Sequence, residues 1–160
     1  MNSAEAEPRL SLYTRQAQRL RALRSDLPHR LQRRRLLAAL PKGAVCAEVG
    51  TWRGDFAERI LRATRPRLLH LVDPWEHREE AEYERALFGG GSDRGQEAMD
   101  AVYQGVLRRF GAEIERGQVE VHRERSEQAA ASFPDGALDW AYIDGDHTYD
   151  AVKRDLEGYF

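Results

Sequence analysis

The chain has few of the features that cross-link, anchor or target a protein. Cys46 is the only cysteine among 160 residues, which excludes an intrachain disulfide and a cysteine-based zinc site. Its apolar neighbours mark it as a packed, inert thiol. No apolar run approaches the roughly 18 residues of a membrane span. The opening MNSAEAEPRL lacks the apolar stretch of a signal peptide, so a cytoplasmic location with no membrane partner is the expectation. The formal net charge is −2 with 32% charged residues, which gives no general attraction to nucleic acid. The run Arg33-Arg34-Arg35 has no aromatics interleaved with it and reads as the solvated face of a helix.

The chain does hold enough apolar residues for one core, 41% of the total, and its length suits a single domain. Residues 1–40 read as an N-terminal helical segment. Tyr13, Ala17 and Leu20 fall at helical spacing within 12–23, and Ser25 or Asp26 can cap a second helix running through LQRRRLLAAL. Pro41-Lys42-Gly43 stops it. From there to residue 160, strands and helices alternate. AVCAEVG is a strand, DFAERILRAT a helix and RLLHLVD a second strand. A long polar and helical section follows from Pro74 to Gly117, interrupted by FGGGSDRG, which reads as a mobile loop. VEVHRE is a third strand, SEQAAASF a short helix and Pro134-Asp135-Gly136 a turn. LDWAYID is a fourth strand, and TYDAVKRDLEGYF the last helix.

Strands separated by helices pair in parallel through right-handed crossovers. The predicted fold is therefore a Rossmann-like open parallel α/β sheet with helices on both faces, preceded by N-terminal helices. Ligands of such sheets bind at the carboxyl ends of the strands, and the polar clusters fall there. Glu48-x-Gly50-x-x-x-Gly54 joins the first strand to a helix, with a sharp turn and close backbone approach at Gly50. Asp73 ends the second strand about 20 residues beyond the glycines, where a carboxylate can accept hydrogen bonds from both hydroxyls of a ribose. Gly89, Gly90 and Gly91 follow no strand and precede no Lys-Ser/Thr, so they read as a flexible connection and not a phosphate loop. His77 with Glu76, Glu79 and Glu80 reads as a solvated charged face, Trp140 as core, and His70 and His122 as structural residues inside strands. Trp52 and Trp75 stand at strand ends, where they can wall a pocket.

AEVGTWRGDFAERI, LHLVDPW and WAYIDGDHTYDAVKRDL resemble the successive signature segments of class I S-adenosylmethionine-dependent methyltransferases. The resemblance is to the small-molecule O-methyltransferase-like branch carrying an Asp-Gly-Asp-His segment, and it covers about residues 40–160. It implies that Glu48 and the backbone at Gly50 and Thr51 hold the methionine part of the cofactor, with Gly54 in the same turn. It also implies that Asp73 binds the ribose, that Trp75 or its backbone lies near the adenosine, and that Ser126, with Arg125 beside it, contacts the adenine. Ser126 reads equally as a helix N-cap.

Asp144 ends the fourth strand on the same sheet edge as Gly50, so its carboxylate is expected to face the reactive end of the cofactor. In metal-dependent members of the family this position supplies a carboxylate to a divalent cation, magnesium or calcium rather than zinc. His147 can act as the general base toward an acceptor hydroxyl, since an imidazole titrates near neutral pH. Alternatively, Asp146 or Thr148 caps the last helix and His147 only orients the loop. The partner so implied is a small-molecule acceptor.

The sequence departs from the family by ending after the helix that follows the fourth strand, without the last strands of the seven-stranded fold. WAYI then becomes an apolar edge. A shortened chain is the first expectation, a homodimer covering that edge the second, and a degenerate fold the third. Two other functions fit the residues: a non-catalytic remnant that binds cofactor without turnover, and an Asp-x-Asp nucleotide-sugar glycosyltransferase using Asp144 and Asp146.

Overall fold

The computed structural model describes residues 31–77 and 95–160. The chain divides into two compact units, Met1–Leu40 and Pro41–Phe160. In the first, residues 31–39 form helix α1, in line with the helix read through LQRRRLLAAL. The helix expected over 12–23, the caps at Ser25 or Asp26, Glu79, Glu80 and the three consecutive glycines lie outside the described residues.

The second unit runs β1 (Val45–Val49), α2 (Asp55–Thr64), β2 (Leu68–Val72), α3 (Gly95–Arg109), α4 (Gly111–Glu115), β3 (Val119–His122), α5 (Ser126–Ser132), β4 (Trp140–Ile143) and α6 (Tyr149–Tyr159). All strand pairs are parallel, in the order β3-β2-β1-β4. Both central strands are short apolar runs, and Cys46, Ala47, Leu69, Leu71 and Val72 are fully buried. Burial of a leucine of this kind contributes about 1.5–3 kcal/mol. Among the described residues β4 has β1 as its one neighbour, so WAYI is an edge strand, as its sequence context led one to expect.

Register decides which side chains meet. One row joins Ile143, Val49, Val72 and His122, and the next row on the same face joins Ala141, Ala47, His70 and Glu120. On this face Val49, Val72 and Ala129 of α5 form a buried cluster, with Phe133, Ile143 and Tyr159 of α6 packed on it. The opposite face carries α2, whose Phe56 ring lies 4.4 Å from that of Tyr142 in β4. Helices therefore cover both faces.

Helix α2 buries Phe56, Ala57, Ile60 and Thr64 along one stripe and ends at Arg65, a left-handed residue whose N–H donates to the Leu61 carbonyl. Its first turn is held by Arg109, which reaches Asp55 at 2.7 Å, Glu58 at 2.5 Å and the Arg53 carbonyl at 2.9 Å. The guanidinium holds the Glu58 carboxyl below its ordinary value. The turn between β1 and α2 is thereby pinned to the end of α3.

Candidate active site at the carboxyl edge of the sheet

Gly50, Asp73 and Asp144 each stand one residue beyond the register row of Val49, Val72 and Ile143. With strands about 4.8 Å apart, this brings all three to one edge. The strand order reverses between β2 and β4 about β1, the place where open α/β sheets open a crevice. Here the backbone itself fills that place. A Cβ on Gly50 would stand 2.5 Å from the Asp144 carbonyl oxygen and 2.6 Å from the Gly145 Cα, and Gly50 has φ +90°. The glycine is demanded by the neighbouring strand end, a closer approach than any ligand requires. The Gly50 and Thr51 N–H groups both donate to the Val72 carbonyl, at 2.8 and 3.3 Å. What the turn offers a ligand is therefore shape and carbonyl groups more than these donors.

Gly54, also at positive φ, faces Phe110, whose ring would lie 2.5 Å from an added Cβ. Its missing side chain makes room for that ring at the start of α2. Glu48 is buried in β1 at 2% exposure, and Thr51 is buried in the turn.

Asp73 is the centre of the edge. One carboxylate oxygen accepts the Trp52 N–H at 2.9 Å and the other the Trp75 N–H at 2.8 Å. Burial pushes its pKa up, and these two bonds oppose that rise in part. Trp52 and Trp75 both hold left-handed backbone conformations, φ 52° and 43°, which cost about 1–3 kcal/mol each unless the surroundings fix them. Asp73 supplies part of that fixing. Each of its oxygens retains a second lone pair for a ligand.

The left-handed turn sends Trp75 inward. Its ring is 1% exposed, stacks 5.0 Å from Tyr103 and donates through Nε1 to the Trp52 carbonyl at 2.8 Å. Trp75 lines a depression, as expected of a tryptophan at this strand end, while its ring is packed against Tyr103. This surface depression, between the ends of β2 and β3, measures about 260 Å³ and is lined by Pro74, Trp75, Glu76, Gln96 and the segment Arg123 to Arg125 with Gln128. Gln96 donates to the Trp75 carbonyl at 2.9 Å, and Arg125 pairs with Glu76 at 2.9 Å across the depression. Gln96, Glu76 and Arg123 are lining residues that sequence reasoning missed; nothing in their local sequence marks them.

Ser126 departs from the N-cap role expected of it. Arg125, in extended conformation, is the N-cap of α5, and the Ser126 hydroxyl donates to the Asp155 carboxylate of α6. Tyr159 also reaches the Ser126 carbonyl, at 3.2 Å. Asp155 is 6% exposed, and burial raises its pKa while the Ser126 hydrogen bond lowers it. Ser126 therefore joins two helices.

Asp144 is half-buried, and its N–H donates to the Val49 carbonyl at 2.8 Å. Beyond it, the Asp146 carboxylate accepts the Thr148 N–H at 2.9 Å, and Thr148 caps α6 through the Ala151 N–H. Asp146 is thus occupied in starting the helix, and His147 beside it is exposed. Magnesium keeps several waters and is commonly held by one or two carboxylates. Among the described residues the one convergent set of three His, Cys, Asp or Glu ligands is His70, Glu120 and His122.

Cys46 is fully buried, and burial with Asp139 and Glu48 nearby pushes its thiol up to about 12. No helix among the described residues is long and apolar enough to cross a membrane. Comparison with protein families matches residues 47–160 to one described as a methyltransferase domain. No curated protein matches the chain.

Proposed function

Because this chain belongs to the methyltransferase domain family, we propose that it transfers a methyl group from S-adenosylmethionine to a hydroxyl of a small molecule. The observation that carries this reading is Asp73: a carboxylate at the end of β2 with lone pairs to spare, next to the Gly50 turn and the depression of about 260 Å³.

Asp73 would hold the ribose hydroxyls of the cofactor, and the depression beside it would take the adenine between the Trp75 backbone and Arg125. Glu48 and the turn at Gly50 and Thr51 would lie under the methionine part. When bound, the cofactor supplies an electrophilic methyl group on a sulfonium. Asp144, one residue past the row shared by β1 and β4, would orient the acceptor hydroxyl by accepting its hydrogen bond. His147, in the loop that follows, would take the proton as the oxygen attacks. A divalent cation at Asp144, such as magnesium, would hold and polarise the same hydroxyl. The match to a methyltransferase domain over residues 47–160 weighs against the Asp-x-Asp glycosyltransferase reading.

Calorimetry with S-adenosylhomocysteine on the full chain tests the reading. Binding is expected, with Asp73→Ala weakening it by more than about tenfold, worth 1.4 kcal/mol or more. No binding, or binding unaffected by that change, overturns the proposal. Binding without turnover over a panel of hydroxylated acceptors would favour a cofactor-binding remnant.

A further inference from the structure

Away from the carboxyl edge, three potential ligands converge on the face of the sheet that carries α5. His70 and Glu120 are direct register partners on β2 and β3, and His122 lies two residues along β3, so all three project from the same face. His70 Nδ1 stands 2.9 Å from His122 Nε2. Glu120 reaches His70 Nδ1 at 3.6 Å and His122 Nε2 at 3.9 Å. His70 is 7% exposed, while the Glu120 side chain is 57% exposed and opens the cluster to solvent on one side. Phe133 closes it on another, with its ring centroid 4.9 Å from His70 and 5.6 Å from His122.

We propose that His70, Glu120 and His122 form a binding site for one divalent transition ion of the zinc type. Two imidazoles and a carboxylate are the donor set such an ion selects, with a solvent ligand completing four. Bonds of about 2.0–2.1 Å at tetrahedral angles put neighbouring donor atoms about 3.4 Å apart. The two ring nitrogens stand 2.9 Å apart, and Glu120 approaches His70 through Oε2 at 3.6 Å and His122 through Oε1 at 3.9 Å, so the rings must part by about 0.5 Å and the carboxylate turn to bring one oxygen to both.

The arrangement behind the ligands fits as well. The other nitrogen of His122, Nδ1, lies 3.4 Å from Glu124, the carboxylate partner that orients metal-bound histidines. A His122 proton on Nδ1 would face that carboxylate and leave the Nε2 lone pair for the ion. His70 offers Nδ1 once its proton sits on Nε2. An ion held there fastens the edge strand β3 to β2, and Glu124 lines the depression described above, so occupancy bears directly on that wall. This inference stands whether or not the chain transfers methyl groups.

The test uses the full chain without a histidine tag, titrated with Zn²⁺ in competition with a chromophoric chelator. One ion per chain is expected, with a dissociation constant at or below about 1 μM, and a thermal midpoint that rises with Zn²⁺ concentration. His70→Gln and His122→Gln should each weaken binding by about tenfold or more, while His77→Gln leaves it unchanged. Nitrogen-15 spectra of the wild-type imidazoles provide a reading that no variant's folding can confuse: Zn²⁺ should shift His70 Nδ1 and His122 Nε2. Absence of stoichiometric binding, affinity unchanged from wild type in both glutamine variants, or ring shifts confined to other histidines would overturn the site.

Discussion

Asp73→Asn separates a carboxylate that serves only a ligand from one that also holds the fold. The wild-type side chain accepts N–H groups from Trp52 at 2.9 Å and Trp75 at 2.8 Å. An asparagine has one oxygen, so it keeps one bond and turns an NH2 group toward the other N–H. A hydrogen bond to a charged group contributes about 1.5–3 kcal/mol, and stranding its partner costs about 1–3 kcal/mol. Removing the charge returns part of this, because burial already disfavours the ionised form. A net loss of about 1.5 kcal/mol is expected, or a drop of about 3–6 °C in thermal midpoint for a chain of this size. The assay is thermal and urea unfolding with no ligand present, which keeps binding out of the measurement. Ligand sites free of structural duty commonly gain stability when their charge is removed. An Asp73→Asn protein as stable as wild type, or more so, would refute the dual role.

Gly50→Ala should cost at least about 3 kcal/mol, from positive φ and from overlap with the Asp144 carbonyl; a soluble variant with an unchanged unfolding curve would contradict the packing. Ser126→Ala should raise the Asp155 pKa further, since it removes the main interaction lowering it, and should leave S-adenosylhomocysteine affinity within about twofold. A carboxyl-carbon NMR titration and calorimetry check the two halves of that statement. Asp73 and Asp155 have folded pKa values raised above their unfolded ones. The stability they contribute is therefore complete below the unfolded pKa and lost as pH rises through the folded pKa. Glu58 is lowered by the Arg109 guanidinium, and its contribution is lost as pH falls through the folded pKa; unfolding measured across acid pH in Ser126→Ala and Arg109→Ala distinguishes the two kinds of group. Cys46 should resist a thiol reagent at pH 8 in the native protein and react as one equivalent in urea; rapid native reaction would contradict its burial.

The elements themselves were legible because their apolar residues follow strand and helix periods, and the DFAERILRAT helix came out residue for residue. Glycines and carboxylates at strand ends were also legible, as the two features that a sharp strand-to-helix turn leaves in sequence. Their partners were not. Gly50 read as a residue cleared for a ligand, but the close neighbour is a strand end brought alongside by sheet pairing. Trp75 read as a pocket wall and lines the depression, but sequence could not show the left-handed backbone that buries its ring against Tyr103. Ser126 read as a cap by type and position, yet the cap is one residue earlier and its hydroxyl is taken by Asp155, which only helix packing brings near. His70 and His122 read as separate strand residues, and the β2–β3 register makes them neighbours.

The contact between Gly50 and the backbone at Asp144 also bears on the order of folding. β1, α2 and β2 are consecutive, so the edge bearing Asp73 closes through short loops. The seam at Asp144 must wait for almost the whole chain, because non-local contacts are entropically late. A change in that seam should therefore quicken unfolding while leaving the folding rate nearly untouched. During synthesis the β1–β2 layer can assemble while β4 is still inside the ribosome, and β1 gains its second neighbour only when β4 slides in against a residue too small to obstruct it.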